Sequence, residues 1–97
     1  MHSVTAWAHF CAGRYDEAFS WAERAAREQP GLMFAFCVAA ASAALGGRLA
    51  EAQRAMVRVR QLEPTLRMSS LKEFFPTRRV EDLARWEEGM RKAGLPE

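Results

Sequence analysis

Gly13-Arg14-Tyr15-Asp16-Glu17-Ala18 returns 34 residues later as Gly47-Arg48-Leu49-Ala50-Glu51-Ala52. The same offset separates Pro30 from Pro64, so two successive blocks open on a glycine turn and close on a proline. A repeat of this length, with small residues and a closing proline at fixed places, describes pairs of helices rather than a self-contained enzyme core. Such pairs cannot bury their apolar faces alone; they stack and offer a surface to something else. Each punctuation mark has its own physical reason. Glycine permits the left-handed backbone with which helices commonly end. Proline lacks an amide donor and biases Gln29 and Glu63 away from helical geometry. Alanine at 18 and 52 lets two helices approach where a larger side chain would overpack the crossing.

Working outward, alanine is abundant, β-branched residues are scarce, and no segment alternates with period two over strand length, so the chain reads as all-α. The pattern predicts helices near 3–12, 15–29, 32–46 and 48–63, a short one near 68–75, and a last one near 79–93. Counting on from Gly47 and Ala52 by the same offset lands on Glu81 and Trp86, so no third unit of this kind follows. In its place stand an apolar cluster (Leu71, Phe74, Phe75) ended by Pro76, and a final amphipathic stretch. That stretch carries Val80, Leu83, Trp86, Met90 and Ala93 on one stripe, with Glu81, Asp82, Arg85, Glu88, Arg91 and Lys92 on the other. Gly94 supplies its stop. This reads as a terminal cap with Val80, Leu83, Trp86 and Met90 buried against the Met56/Val59 side of the fourth helix and the Leu71/Phe74 cluster. Nothing balances it at the other end, where Val4, Trp7, Ala8 and Phe10 are already apolar, so we read the chain as the C-terminal part of a longer protein.

These positions resemble the tetratricopeptide repeat. Ala6 and Ala40 take that family's small residue in the first helix. Gly13-Arg14-Tyr15 and Gly47-Arg48-Leu49 take its turn into the second helix. Ala18 and Ala52, then Ala25 and Val59, and then Pro30 and Pro64 complete the match. The resemblance covers roughly residues 3–64 and departs at His2/Phe36 and His9/Ala43, where the family prefers large aromatics and tyrosine. It implies a right-handed superhelix of antiparallel helix pairs in a single domain. Unit one would span about 3–30 and unit two about 31–64, with a capping helical hairpin over about 65–97. The ending, from Pro64-Thr65-Leu66-Arg67-Met68-Ser69-Ser70-Leu71 to Glu88-Gly89-Met90-Arg91-Lys92-Ala93-Gly94-Leu95-Pro96-Glu97, is similar to the tail of bacterial class III adenylate/guanylate cyclases. There the catalytic domain comes first and such repeats follow, so this chain would regulate or assemble a cyclase without making a cyclic nucleotide.

The resemblance places a partner groove on the first helix of each unit. Its residues here are Val4, Trp7, Phe10 and Cys11 in unit one, and Phe34, Cys37, Val38, Ala41 and Leu45 in unit two. No asparagine or lysine lies among them, so a peptide carboxylate would find no charge-assisted donor. An apolar groove of this kind calls for a hydrophobic helix as partner, from upstream repeats or a second copy in a homodimer.

Catalytic, metal and cofactor-binding residues are expected to be none. His2 and His9 have no Cys or carboxylate at ligand spacing, and His9 is expected to pack in the core. Gly46-Gly47 is a turn without the lysine of a phosphate loop. Cys11 and Cys37 should lie about 12 Å apart along parallel helices, beyond disulfide reach, which suits a reducing cytoplasm. The most apolar run, Leu32 to Leu45, is too short for a membrane span. Formal net charge is +2. The basic residues gather in the second half (Arg54, Arg58, Arg60, Arg67, Arg78, Arg79). That keeps open an alternative, a nucleic-acid-associated regulator tail, beside that of a stand-alone repeat adaptor. No nucleic-acid motif accompanies those arginines.

Overall fold

The computed structural model describes residues 2–70 and 80–95. Among them five α-helices and one short 3-10 turn follow one another: α1 (His2–Cys11), α2 (Tyr15–Glu28), α3 (Met33–Leu45), α4 (Leu49–Leu62), the turn Met68–Ser70, and α5 (Val80–Ala93). Each of the first four packs on the next in sequence, and α5 returns to lie mainly on α3.

The 34-residue repetition is visible bond by bond. Gly13 and Gly47 end α1 and α3 with φ of 80° and 82°. Behind them the Arg14 amide donates to the His9 carbonyl at 2.9 Å, and the Arg48 amide to the Ala43 carbonyl at 2.7 Å. This is the left-handed closure that only glycine makes without strain. At the far end of each pair, the Gln29 amide donates to Ala25 and the Glu63 amide to Val59. Gln29 and Glu63 themselves turn extended at φ −135° and −143°, as the following prolines require. Then the Leu32 amide donates to Gln29 and the Leu66 amide to Glu63. The matched small residues are buried in both units: Ala6 and Ala40, Ala18 and Ala52, Ala25 and Val59.

Helix α3 is apolar on every side and is buried accordingly, with Ala35 and an unbroken run from Cys37 to Ala44 in the interior. The flanking α2 and α4 are amphipathic: Ala18, Phe19, Ala22 and Ala25 face inward from α2, and Ala52, Met56 and Val59 from α4.

Three expectations need correction. The last helix does not lean chiefly on the Met56/Val59 side of α4; its main neighbour is α3. Asp82, assigned by pattern to the solvent face, is only 6% exposed. It stands one turn before Trp86, so a helix rolled to bury Trp86, Met90 and Ala93 carries it inward. Leu83 is half-buried rather than central. The Leu71/Phe74 cluster, most of the short helix expected near 68–75, and Arg78 and Arg79 lie outside the described residues, as does the side chain of Val80.

Candidate functional site

The residues assigned to the partner groove do come together on one side of α1 and α3, but the face is not vacant. Phe10, Cys37, Val38 and Ala41 are fully buried, and Trp7, Phe34 and Leu45 half-buried; Val4 stands apart, 59% exposed. What covers the face is α5.

Trp86 is the centre of the contact and has no exposed surface. Its ring meets Trp7 edge-on at 5.1 Å and Phe10 edge-on at 5.4 Å, and lies tilted against Phe34 at 6.2 Å. Trp7 in turn stacks on Phe10 at 5.4 Å, and Tyr15 closes the far side of Phe10 at 5.8 Å. The edge-to-face geometry sets positive ring edges on negative faces, which adds to what burial alone contributes.

One turn further along, Gly89 rests on Ala41. A Cβ added at Gly89 would stand 2.8 Å from Ala41 Cβ and 3.1 Å from its backbone, so no other residue fits without moving α3. Trp7 and Ala41 occupy the same place in their respective units, 34 residues apart. The face therefore offers a large ring in unit one and a notch in unit two. Helix α5 answers with its own large and small residues, Trp86 and Gly89. A polar latch completes the seat: an Arg85 guanidinium N–H donates to the Cys11 carbonyl at the C-terminal end of α1. A cation there also meets the negative end of the α1 dipole. Beyond the seat, Gly94 takes φ 108° and the Leu95 amide donates to Met90, repeating the closure of α1 and α3.

An open groove of about 400 Å³ is lined by residues of α2, α3 and α4. Phe19, Phe36 and Ala39 form its floor, and Glu23, Arg27, Glu51 and Arg54 its rims. Three of the basic residues of the second half are engaged within the chain. Arg54 faces Glu51 at 3.9 Å, and Arg58 lies over the Phe36 ring while donating to the Pro30 carbonyl. Arg67 donates to the Pro64 and Leu66 carbonyls.

His9 is half-buried at the end of α1. Its Nδ1 accepts a bond from Arg14 Nε at 2.9 Å, which ties α1 to the turn behind it. Glu17 lies 3.7 Å from the same nitrogen, too far to compete. Neither Cys11 nor Cys37 is joined in a disulfide. Burial pushes the Cys37 thiol up to about 12, so it stays protonated. Among the described residues there is no group of three or more His, Cys, Asp or Glu side chains that could hold a metal ion. Nor is any described helix long and apolar enough to cross a membrane.

Sequence patterning placed Trp86 on the buried stripe of α5 but did not connect it with Trp7. The missed signal was Gly89. A glycine inside an otherwise helical pattern costs about 1 kcal/mol against alanine and usually marks a close approach. No family model, no curated protein and no solved structure matches the chain.

Proposed function

We propose that this chain is a non-catalytic protein–protein interaction module of the tetratricopeptide type. The observation that carries the reading is the duplication of caps, closures and buried alanines at a 34-residue offset, the construction of a stacking helical array. On the resemblance of its ending, it serves as the assembly or regulatory tail of a bacterial signalling enzyme of the class III adenylate cyclase kind. The mode of recognition is helix on helix, the way stacked repeat helices meet, rather than capture of a charged peptide end.

The test is sedimentation of the full chain with and without the catalytic domain of a class III adenylate cyclase, alongside an assay of the chain alone for ATP cyclisation. A mixed complex and no cyclic nucleotide from the chain alone are expected. Absence of a complex would overturn the cyclase-tail assignment, and cyclic nucleotide formed by the chain alone would overturn the non-catalytic one.

A further inference from the structure

The groove lined by α2, α3 and α4 has a direction. Arg48, beside the start of α4, donates to Asp16 in the first turn of α2 at 3.2 Å. Arg58, late in α4, donates to the Pro30 carbonyl beyond the end of α2. The two rim helices therefore run the same way. On each rim an acid comes first and a base follows about one turn later, Glu23 then Arg27 on α2 and Glu51 then Arg54 on α4. The groove is thus acidic towards the helix starts and basic towards their ends. Arg48 does not cancel the acidic end, because Asp16 pairs with it, whereas Arg58 over the Phe36 ring reinforces the basic end. Glu23, Arg27 and Arg54 are exposed, so their charges are open to a partner. Between the rims, Ala26, Ala39 and Ala55 are small enough to let another backbone come close.

We propose that this groove binds an amphipathic helix of another protein, with an acid at position i and a base at i+4 beside its apolar stripe, laid antiparallel to α2 and α4. The inference rests on reading the chain as an interaction module, and names the face and the partner's chemistry. In that direction the partner's acid meets Arg27 and Arg54, and its base meets Glu23 and Glu51. Four residues of helix rise about 6 Å, the step that separates Glu23 from Arg27. The reverse direction would set like charges against each other, which is strongly unfavourable across an interface. The antiparallel direction also opposes the partner's macrodipole to those of α2 and α4. Acid before base at this spacing is the order that best supports a helix in its own right. A second copy offers no such helix among the described residues. Its exposed large apolar side chains, Val4, Leu49 and Val57, are isolated, and the apolar stripes of α2, α4 and α5 are turned inward.

The test uses the full chain and two synthetic helical peptides that share an alanine–leucine stripe. One carries Glu at i and Lys at i+4 beside the stripe, and the other carries Glu at both places. Binding is followed by amide chemical shifts, and a nitroxide on the N-terminus of the mixed-charge peptide reports its direction. That peptide is expected to bind the more tightly, to shift Phe19, Phe36, Ala39 and Ala55, and to broaden Gln29 and Leu62 rather than Asp16 and Leu49. Exchanging the rim charges (Glu23→Arg, Arg27→Glu, Glu51→Arg, Arg54→Glu) alters the rims without touching the buried core. It should turn the bound peptide end for end, so that Asp16 and Leu49 broaden instead. Ala55→Trp fills the groove from the α4 rim and should abolish the shifts. A mixed-charge peptide that does not bind, binds elsewhere, lies in both directions or fails to turn overturns the inference. So does tighter binding of the all-acidic peptide. Self-association of the chain that Ala55→Trp or the charge exchange abolishes assigns the groove to a second copy, and also overturns it. If the chain joins the cyclase catalytic domain while neither peptide binds, the module reading stands and this one falls.

Discussion

The glycine turns show how one backbone angle decides a helix end. Gly47 takes φ 82°, with nothing near the place a side chain would occupy, so backbone strain alone resists substitution there. Gly47→Ala should cost about 1–2 kcal/mol, read as a lower urea midpoint with unchanged slope. An unchanged midpoint would mean that the closure relaxes instead. Cys37 makes a different single-residue argument. Its thiol belongs to a fully buried position on α3 and is held protonated up to about 12, against an ordinary value of 9.0. In the unfolded chain it ionises at that ordinary value. Its contribution to stability is therefore present in full below pH 9 and is lost as pH rises towards 12. The unsubstituted chain should lose stability faster than Cys37→Ala between pH 8 and pH 10, measured by denaturant unfolding at each pH. Parallel curves would show that Cys37 is not protected.

At the scale of elements, the sequence was legible wherever a position was set by local backbone chemistry. The turns at Gly13 and Gly47, the stops after Gln29 and Glu63 and the burial of Ala18 and Ala52 could be read directly, because sterics and missing donors act within a few residues. What was not legible is where α5 goes. Its amphipathic pattern names a buried stripe but no partner, and Asp82 on that stripe misled the assignment of faces. Only the distant match of Trp86 with Trp7 and Gly89 with Ala41 fixes the answer, and no local rule reports it. The repeat positions still support a firm expectation. Ala52 is fully buried, as is Ala18 one repeat earlier. Ala52→Leu should cost about 1–3 kcal/mol by overpacking. For a chain of this size that is a fall in Tm of at least about 4 °C, measured by scanning calorimetry. An unaltered Tm would mean that α3 and α4 have room to spare.

Among the described residues, α1 to α4 form sequence-adjacent hairpins, and α5 adds long-range contacts with α3, α4 and α1. Helix α3 is in contact with α1, α2, α4 and α5, and most of its side chains are buried. Helix α5 touches α3 and, through Trp86, the aromatic side chains of α1, while the side chains of Glu81, Glu88, Arg91 and Lys92 face water. Segments held by fewer buried contacts open at lower free energy than the core they cover. Native-state hydrogen exchange should therefore find α5 opening before α3. Trp86→Ala removes the ring around which Trp7, Phe10 and Phe34 gather. A loss of about 3–5 kcal/mol at that site is comparable to much of a small domain's whole stability. In that variant the amides of α5 should lose their protection while those of α3 keep a measurable share, because α2 and α4 still cover them. If α3 and α5 instead lose protection together, the chain is one indivisible cooperative unit, and α5 is part of its core rather than a helix seated on it.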